Sequence, residues 1–117
     1  MPKSLMVVFS NPKGAGEEAE YNRWYTDKHL PDVVGVPGIV SATRYRLDKA
    51  VSMGEIPANN SGYLAIYELE AETTDELNAI NAAMAAAIEA GSVDISPSLD
   101  EAKLEVSFAV PITDKIV

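Results

Sequence analysis

The 117-residue chain is 47% hydrophobic and 23% charged, a balance that supports one compact domain over residues 1–117. Its formal charge of −9 repels a nucleic-acid backbone and no basic patch interrupts that field, so nucleic acid is not expected as a partner. The absence of cysteine excludes disulfides, thiol nucleophiles and thiolate metal sites.

The chain opens Met1-Pro2-Lys3-Ser4-Leu5, without the apolar stretch and cleavage pattern of a signal peptide. No apolar run approaches the roughly 20 residues a membrane helix needs, so a cytoplasmic protein without a membrane partner is expected. Leu5-Met6-Val7-Val8-Phe9 is rich in strand formers and ends at the turn-forming Ser10-Asn11-Pro12-Lys13-Gly14, which predicts a first strand. Gly14-x-Gly16 lacks the third glycine and the Lys-Ser/Thr ending of phosphate-binding loops and reads as a plain loop. Glu17, Glu18 and Glu20 open a helix where its partial positive charge favours acids. That helix runs toward Lys28 and His29, and Pro31 then marks a break or a fresh first turn.

From Ile39 to Leu47 the residues alternate, with Ile39, Ser41, Thr43, Tyr45 and Leu47 on one strand face and Val40, Ala42, Arg44 and Arg46 on the other. Residues 48–62, with Gly54, Pro57, Asn59-Asn60 and Gly62, form a connection long enough to serve as a lid. Tyr63 to Leu69 follows as a third strand that is apolar on both faces over most of its length. Thr73 and Glu76 make a capping box for a helix whose Leu77, Ile80, Met84, Ala87 and Ile88 form a core stripe up to Gly91. After the Ser/Pro-containing segment 92–98, Leu104, Val106, Phe108 and Val110 alternate with Glu105, Ser107 and Ala109 in a last strand before Pro111.

The order βαββαβ predicts an α+β, ferredoxin-like fold: a four-stranded antiparallel sheet with both helices on one face. Two helices cover only one face, yet the first and third strands are apolar on both. Burial contributes about 25 cal/mol per Å², so the exposed face is expected to pack against a second copy in an obligate homodimer.

Candidate chemistry concentrates between Tyr21 and Asp32, which holds the only His and the only Trp. On a helix Tyr21, Tyr25 and His29 stand four apart on one stripe, so two phenols line the approach to the imidazole. His29 suits a general acid or base because its ordinary pKa of about 6.5 gives access to both forms, and Asp32 is placed to orient it. A plainer alternative is a partly exposed His favoured by the helix C-terminus, with Asp32 as a local cap. Trp24 is assigned to packing. Arg44 either anchors a substrate carboxylate or pairs with Glu68 or Glu70 across the sheet. Tyr45 and Tyr67 either donate to a ligand carbonyl or are ordinary sheet tyrosines. One His and no Cys, with no ligand spacing among the carboxylates, leave no expected metal site.

The segment from Tyr21 through His29-Leu30-Pro31, followed by Val36-Pro37-Gly38 and Arg44-Tyr45, resembles the EthD-like branch of the dimeric α+β barrel superfamily over roughly residues 20–47. The resemblance implies sheets joined across a two-fold axis into a barrel, with a cleft between helices and sheet that takes a small hydrophobic or aromatic ligand. Relatives implied by it include cofactor-free cyclases, isomerases and monooxygenases, and haem-degrading enzymes whose histidine comes from the second helix. Here that helix has no histidine, so no cofactor is expected. Three functions follow: a cofactor-independent lyase, isomerase or cyclase with His29 as base and Tyr21, Tyr25 or Tyr45 at the developing oxyanion; a non-catalytic ligand-binding or accessory protein; and a cofactor-free monooxygenase.

Overall fold

The structure is a computed structural model that describes residues 3–117. Strand β1 (Ser4–Ser10) leads through a 3-10 turn (Ala15–Glu17) into α1 (Glu18–Trp24), a π turn (Tyr25–His29) and α2 (Leu30–Val34). Strands β2 (Ile39–Arg46) and β3 (Tyr63–Leu69), helix α3 (Thr74–Glu89) and β4 (Glu105–Ala109) complete the order. All strand neighbours are antiparallel and the sheet order is β2-β3-β1-β4, which is the ferredoxin-like arrangement expected from the sequence.

Alternation in β1 buries Ser4, Met6, Val8 and Ser10 beneath the helices and leaves Leu5, Val7 and Phe9 half-buried on the opposite face. Through the β1–β3 register, Ala65, Tyr67 and Leu69 join the covered face, while Leu64 and Ile66 join the open one. The core then unites Met6, Val8, Ala65, Tyr67 and Leu69 with Tyr21, Trp24, Tyr25 and Val33 of the first helical segment and Ile80 of α3.

In α3, Thr73 accepts from the Glu76 backbone N–H at 3.1 Å and Glu76 reaches back to the Glu72 N–H at 3.1 Å, forming the anticipated box. Gly91, at φ +83°, follows its last turn. Ile80 is buried and Leu77, Met84 and Ala87 are partly so, but Ile88 is exposed and stands outside the predicted stripe.

Of the two readings at Pro31 the fresh first turn is the one that forms: the Leu30 N–H bonds the Tyr25 carbonyl, a π step, and Pro31 falls in the first turn of α2, where its missing donor costs nothing. Two further expectations, the faces of β2 and the extent of the last strand, are corrected. The pairing of β2 with β3 shifts between Ile39 and Ser41, so Ile39 shares the covered face with Ala42 and Arg44 while Val40 is exposed. The last strand is shorter than predicted, because a 3-10 turn at Glu101–Lys103 precedes it. Its Val106 and Phe108 pair with Val8 and Met6 on the helix side but remain 48% and 36% exposed. The segment after Gly91 is packed: Val93, Ser96, Ser98 and Leu99 are buried, and Lys13 N–H bonds the Ser98 carbonyl at 2.7 Å.

Gly38 adopts φ +92°, and a Cβ there would lie 2.6 Å from Ile80 Cγ1. The turn into β2 and the middle of α3 therefore meet at a point that only glycine fits. The connection 47–62 projects outward, with Val51, Met53 and Ile56 exposed. No helix among the described residues is long and apolar enough to cross a membrane.

Candidate functional site

Tyr21, Tyr25 and His29 do form one inward stripe. Tyr21 and Tyr25 meet edge to face at 5.6 Å between ring centres, and Tyr25 meets His29 at 5.0 Å. Tyr21 and Tyr25 are buried, and His29 is only 7% exposed. The partly exposed histidine of the plainer alternative is therefore not what folds. Trp24 closes the other side of the imidazole, its ring 4.5 Å away and tilted by 32°.

Two polar atoms in this cluster, Trp24 Nε1 and His29 Nδ1, are buried without a hydrogen-bond partner. Burial holds the His29 pKa below its ordinary 6.5; the backbone and charge of Asp94, then the charge of Asp32, oppose that depression, and Lys28 adds to it. The imidazole is thus neutral at neutral pH. Asp32 does not orient it by a hydrogen bond: its carboxylate accepts from Lys28 Nζ at 2.9 Å, and the same ammonium reaches Asp94 at 3.2 Å. Neither does its side chain cap a helix. Lys28 is the first cause holding the Asp94 carboxyl below its usual range.

Arg44 enters the cluster from β2, opposite Ala65 and beneath α1. Its guanidinium carbon lies 4.5 Å from the Tyr25 ring centre, 5.2 Å from that of Tyr63 and 5.4 Å from that of Tyr21. It donates to Thr26 Oγ1 and Asn22 Oδ1, each at 2.9 Å, and to the Asn22 carbonyl at 3.5 Å. The anticipated pairing with Glu68 or Glu70 is absent among the described residues, because Glu68 projects from the open face, where it accepts from Ser41. A cation is therefore held among tyrosines with no carboxylate beside it.

Tyr67 is buried on the same face, and burial followed by the adjacent Tyr25 phenol raises its pKa far above the usual phenol range. Burial likewise raises Tyr21 and Tyr25, so all three phenols remain protonated donors. Tyr21 shares a 2.5 Å hydrogen bond with Ser10 at the end of β1. Tyr45 is not part of this cluster: it pairs with Leu64 on the open face and is 47% exposed.

Ser10, Asn22, Thr26, Tyr63, Lys28 and Asp94 belong to the site but were not singled out from the sequence. Tyr63 carried a signal, since it stands two and four positions before Ala65 and Tyr67 on one strand face. Asn22 and Thr26 carried another, being four apart on a helix beside Tyr21 and Tyr25. Asp94 carried none, because only tertiary packing brings it to Lys28.

The cluster is packed rather than hollow. A cavity of about 560 Å³ opens between Lys3, Leu69, Glu72 and Val110, and one of about 370 Å³ between Pro31, Val36, Ala87 and Val93; His29 and Arg44 line neither. Among the described residues no group of His, Asp and Glu is placed to hold a metal ion.

No protein-family profile matches the chain, and no curated protein matches it by sequence. Solved structures do match by shape. The heme-degrader MhuD from Mycobacterium tuberculosis, solved with two hemes in its active site, aligns with a TM-score of 0.63 at 15% identity, covering 96% of this chain and 98% of that one. An ethyl tert-butyl ether d (EthD) family protein from Bacillus halodurans gives 0.53 at 12% identity over 96% and 100% of the two chains. The cofactor-independent oxygenase SnoaB from Streptomyces nogalater gives 0.51 at 14% identity over 97% of each. The residues here do not fit haem: α3 has no histidine, and Trp24 and Tyr25 pack against the single imidazole at 4.5 and 5.0 Å between ring centres. Identities this low speak to architecture, and on that level the expectation is met: the chain has the ferredoxin-like α+β fold shared with EthD-family proteins.

Proposed function

We propose that this chain is a cofactor-independent small-molecule-binding protein whose site is the Tyr21–Tyr25–His29–Arg44 cluster, and that His29 accepts a proton from a small aromatic or carbonyl compound held there. The observation that carries the reading is the neutral, buried imidazole whose Nδ1 has no protein partner. A neutral imidazole with a free ring nitrogen is ready to take a proton, and the surrounding protonated phenols are ready to donate to a developing oxyanion. Arg44, Asn22 and Tyr63 form the half-buried rim of the cluster, and Tyr21, Tyr25 and His29 its floor.

The close packing of that floor favours a second reading, a non-catalytic ligand-binding or accessory protein. The two differ in one variant. His29→Ala is expected to abolish turnover of a substrate found by screening small aromatic ketones, phenols and lactones, while retaining binding. Unchanged turnover in His29→Ala rules out the proton-transfer role. Conversion that consumes dissolved oxygen would instead identify a cofactor-free monooxygenase.

The sheet supports a homodimer: Leu5, Val7, Phe9, Leu64 and Ile66 form an apolar face with no element over it among the described residues, and a second copy placed sheet to sheet would cover that face and Tyr45 together.

A further inference from the structure

An arginine has five N–H donors arranged along two edges of a planar fork. In Arg44 the end of the fork is taken: Nη1 donates to the Asn22 carbonyl and to Thr26, and Nη2 donates to Asn22 Oδ1. The side edge, formed by Nε–H and the neighbouring Nη2–H, has no partner among the described residues. Tyr21 lies close enough for the guanidinium to act on its hydroxyl by charge and by hydrogen-bonding influence, but the hydrogen bond it makes is the one shared with Ser10. Asn22 is itself fixed, its amide donating to the Tyr63 hydroxyl at 3.1 Å, so the fork is held from one end and open along the other.

We propose that this free edge binds the carboxylate of a small aromatic acid, accepting it bidentately while the ring lies against the tyrosines; the proposal rests on the reading of this cluster as a small-molecule site. Two parallel N–H donors match the two oxygens of a carboxylate. A planar monoanion fits better than a phosphate because, among the described residues, the neighbouring cations are engaged: Arg46, two positions along the strand, lies 3.8 Å from Asp48. Lys28, on the His29 side, is engaged by Asp32 and Asp94, and a chain of formal charge −9 resists each further negative charge. Arg44 and His29 both contact the Tyr25 ring, so a carboxylate on the first places the rest of a small acid toward the second.

Calorimetric titration of the full chain with benzoate and with benzamide tests this, since the two probes share a ring and differ in charge. Benzoate is expected to bind about tenfold or more tightly than benzamide, and Arg44→Gln to equalise them. Arg44→Lys keeps the cation but drops the fork, and is expected to shrink the preference to a few-fold; an unchanged preference in either variant overturns the assignment to Arg44. Equal binding of both probes to the wild type overturns the carboxylate proposal and leaves the small-molecule reading standing. Binding of neither at millimolar concentration overturns both.

Discussion

The His29 ring lies 4.5 Å from the Trp24 ring, and each carries a buried nitrogen with no hydrogen-bond partner. Two unsatisfied donors or acceptors side by side are uncommon in a folded core, where such groups are nearly always paired. Their coincidence with the chain's single imidazole makes this pair a reporter as well as a candidate site.

Trp24 fluorescence should therefore follow the titration of His29. Protonated imidazole quenches a stacked indole, and burial places the His29 midpoint below 6.5, so quenching is expected only in more acid solution and not at all in His29→Gln. Stability should change in the same window. Above pH 6.5 the ring is neutral both folded and unfolded; below it the unfolded chain binds a proton first, so this contribution to stability is lost as pH falls toward the folded-state midpoint. Denaturant titrations of wild type and His29→Gln from pH 7.5 to 5 measure it, and a steeper acid loss in the variant contradicts the assignment.

Ser10 and Tyr21 should prove energetically coupled. Tyr21→Phe leaves a buried Ser10 hydroxyl without its partner and should cost about 1–3 kcal/mol, as should Ser10→Ala for the converse reason. The double variant should cost clearly less than the two singles together. Strict additivity in urea unfolding would show that the hydrogen bond contributes nothing.

Gly38→Ala combines a positive φ with a Cβ driven into Ile80, and should destabilise the chain by about 1–3 kcal/mol. Adding Ile80→Val relieves the contact but not the backbone conformation, so it should recover only part of the loss. Thermal unfolding of the three variants separates strain from collision.

Ile66 lies at the middle of the open sheet face, flanked by Val7 on β1 and Thr43 on β2. Light scattering at micromolar concentration should give twice the chain mass for the wild type and a single-chain mass for Ile66→Lys with unchanged circular dichroism. A wild type of one-chain mass excludes a second copy as the cover of this face.

The strands and α3 were legible because their signals are local: alternation in β1 and β3, and a capping box and glycine stop around α3. The stripe through Tyr21, Tyr25 and His29 was legible for the same reason. Periodicity failed where the backbone departs from a regular repeat. The shift after Ile39 moves that residue across the sheet, which alternation alone cannot register. Arg44 was misjudged through its neighbours in sequence: Glu68 and Glu70 are near along the paired strand, but the pleat directs Glu68 away from it, and the aromatic surroundings come from a helix more than fifteen residues earlier. Asp94 illustrates a third kind of failure, since its partner Lys28 is remote in the chain and no pattern links them.

The π turn has a further consequence, concerning rotation. On a regular helix of 3.6 residues per turn, side chains four apart drift by about 40° at each step, so Tyr21 and Val33 would point roughly 120° apart. Yet Tyr21, Tyr25, His29 and Val33 are 0%, 2%, 7% and 0% exposed, all on the inward side. The underwound turn at Tyr25–His29 resets the angular phase halfway along, so that one ridge of side chains stays aligned with the sheet over its full length. Deleting a single residue within that turn would advance everything after it by about 100°. Val33 would swing out of the core, although the composition of the helix would scarcely have changed.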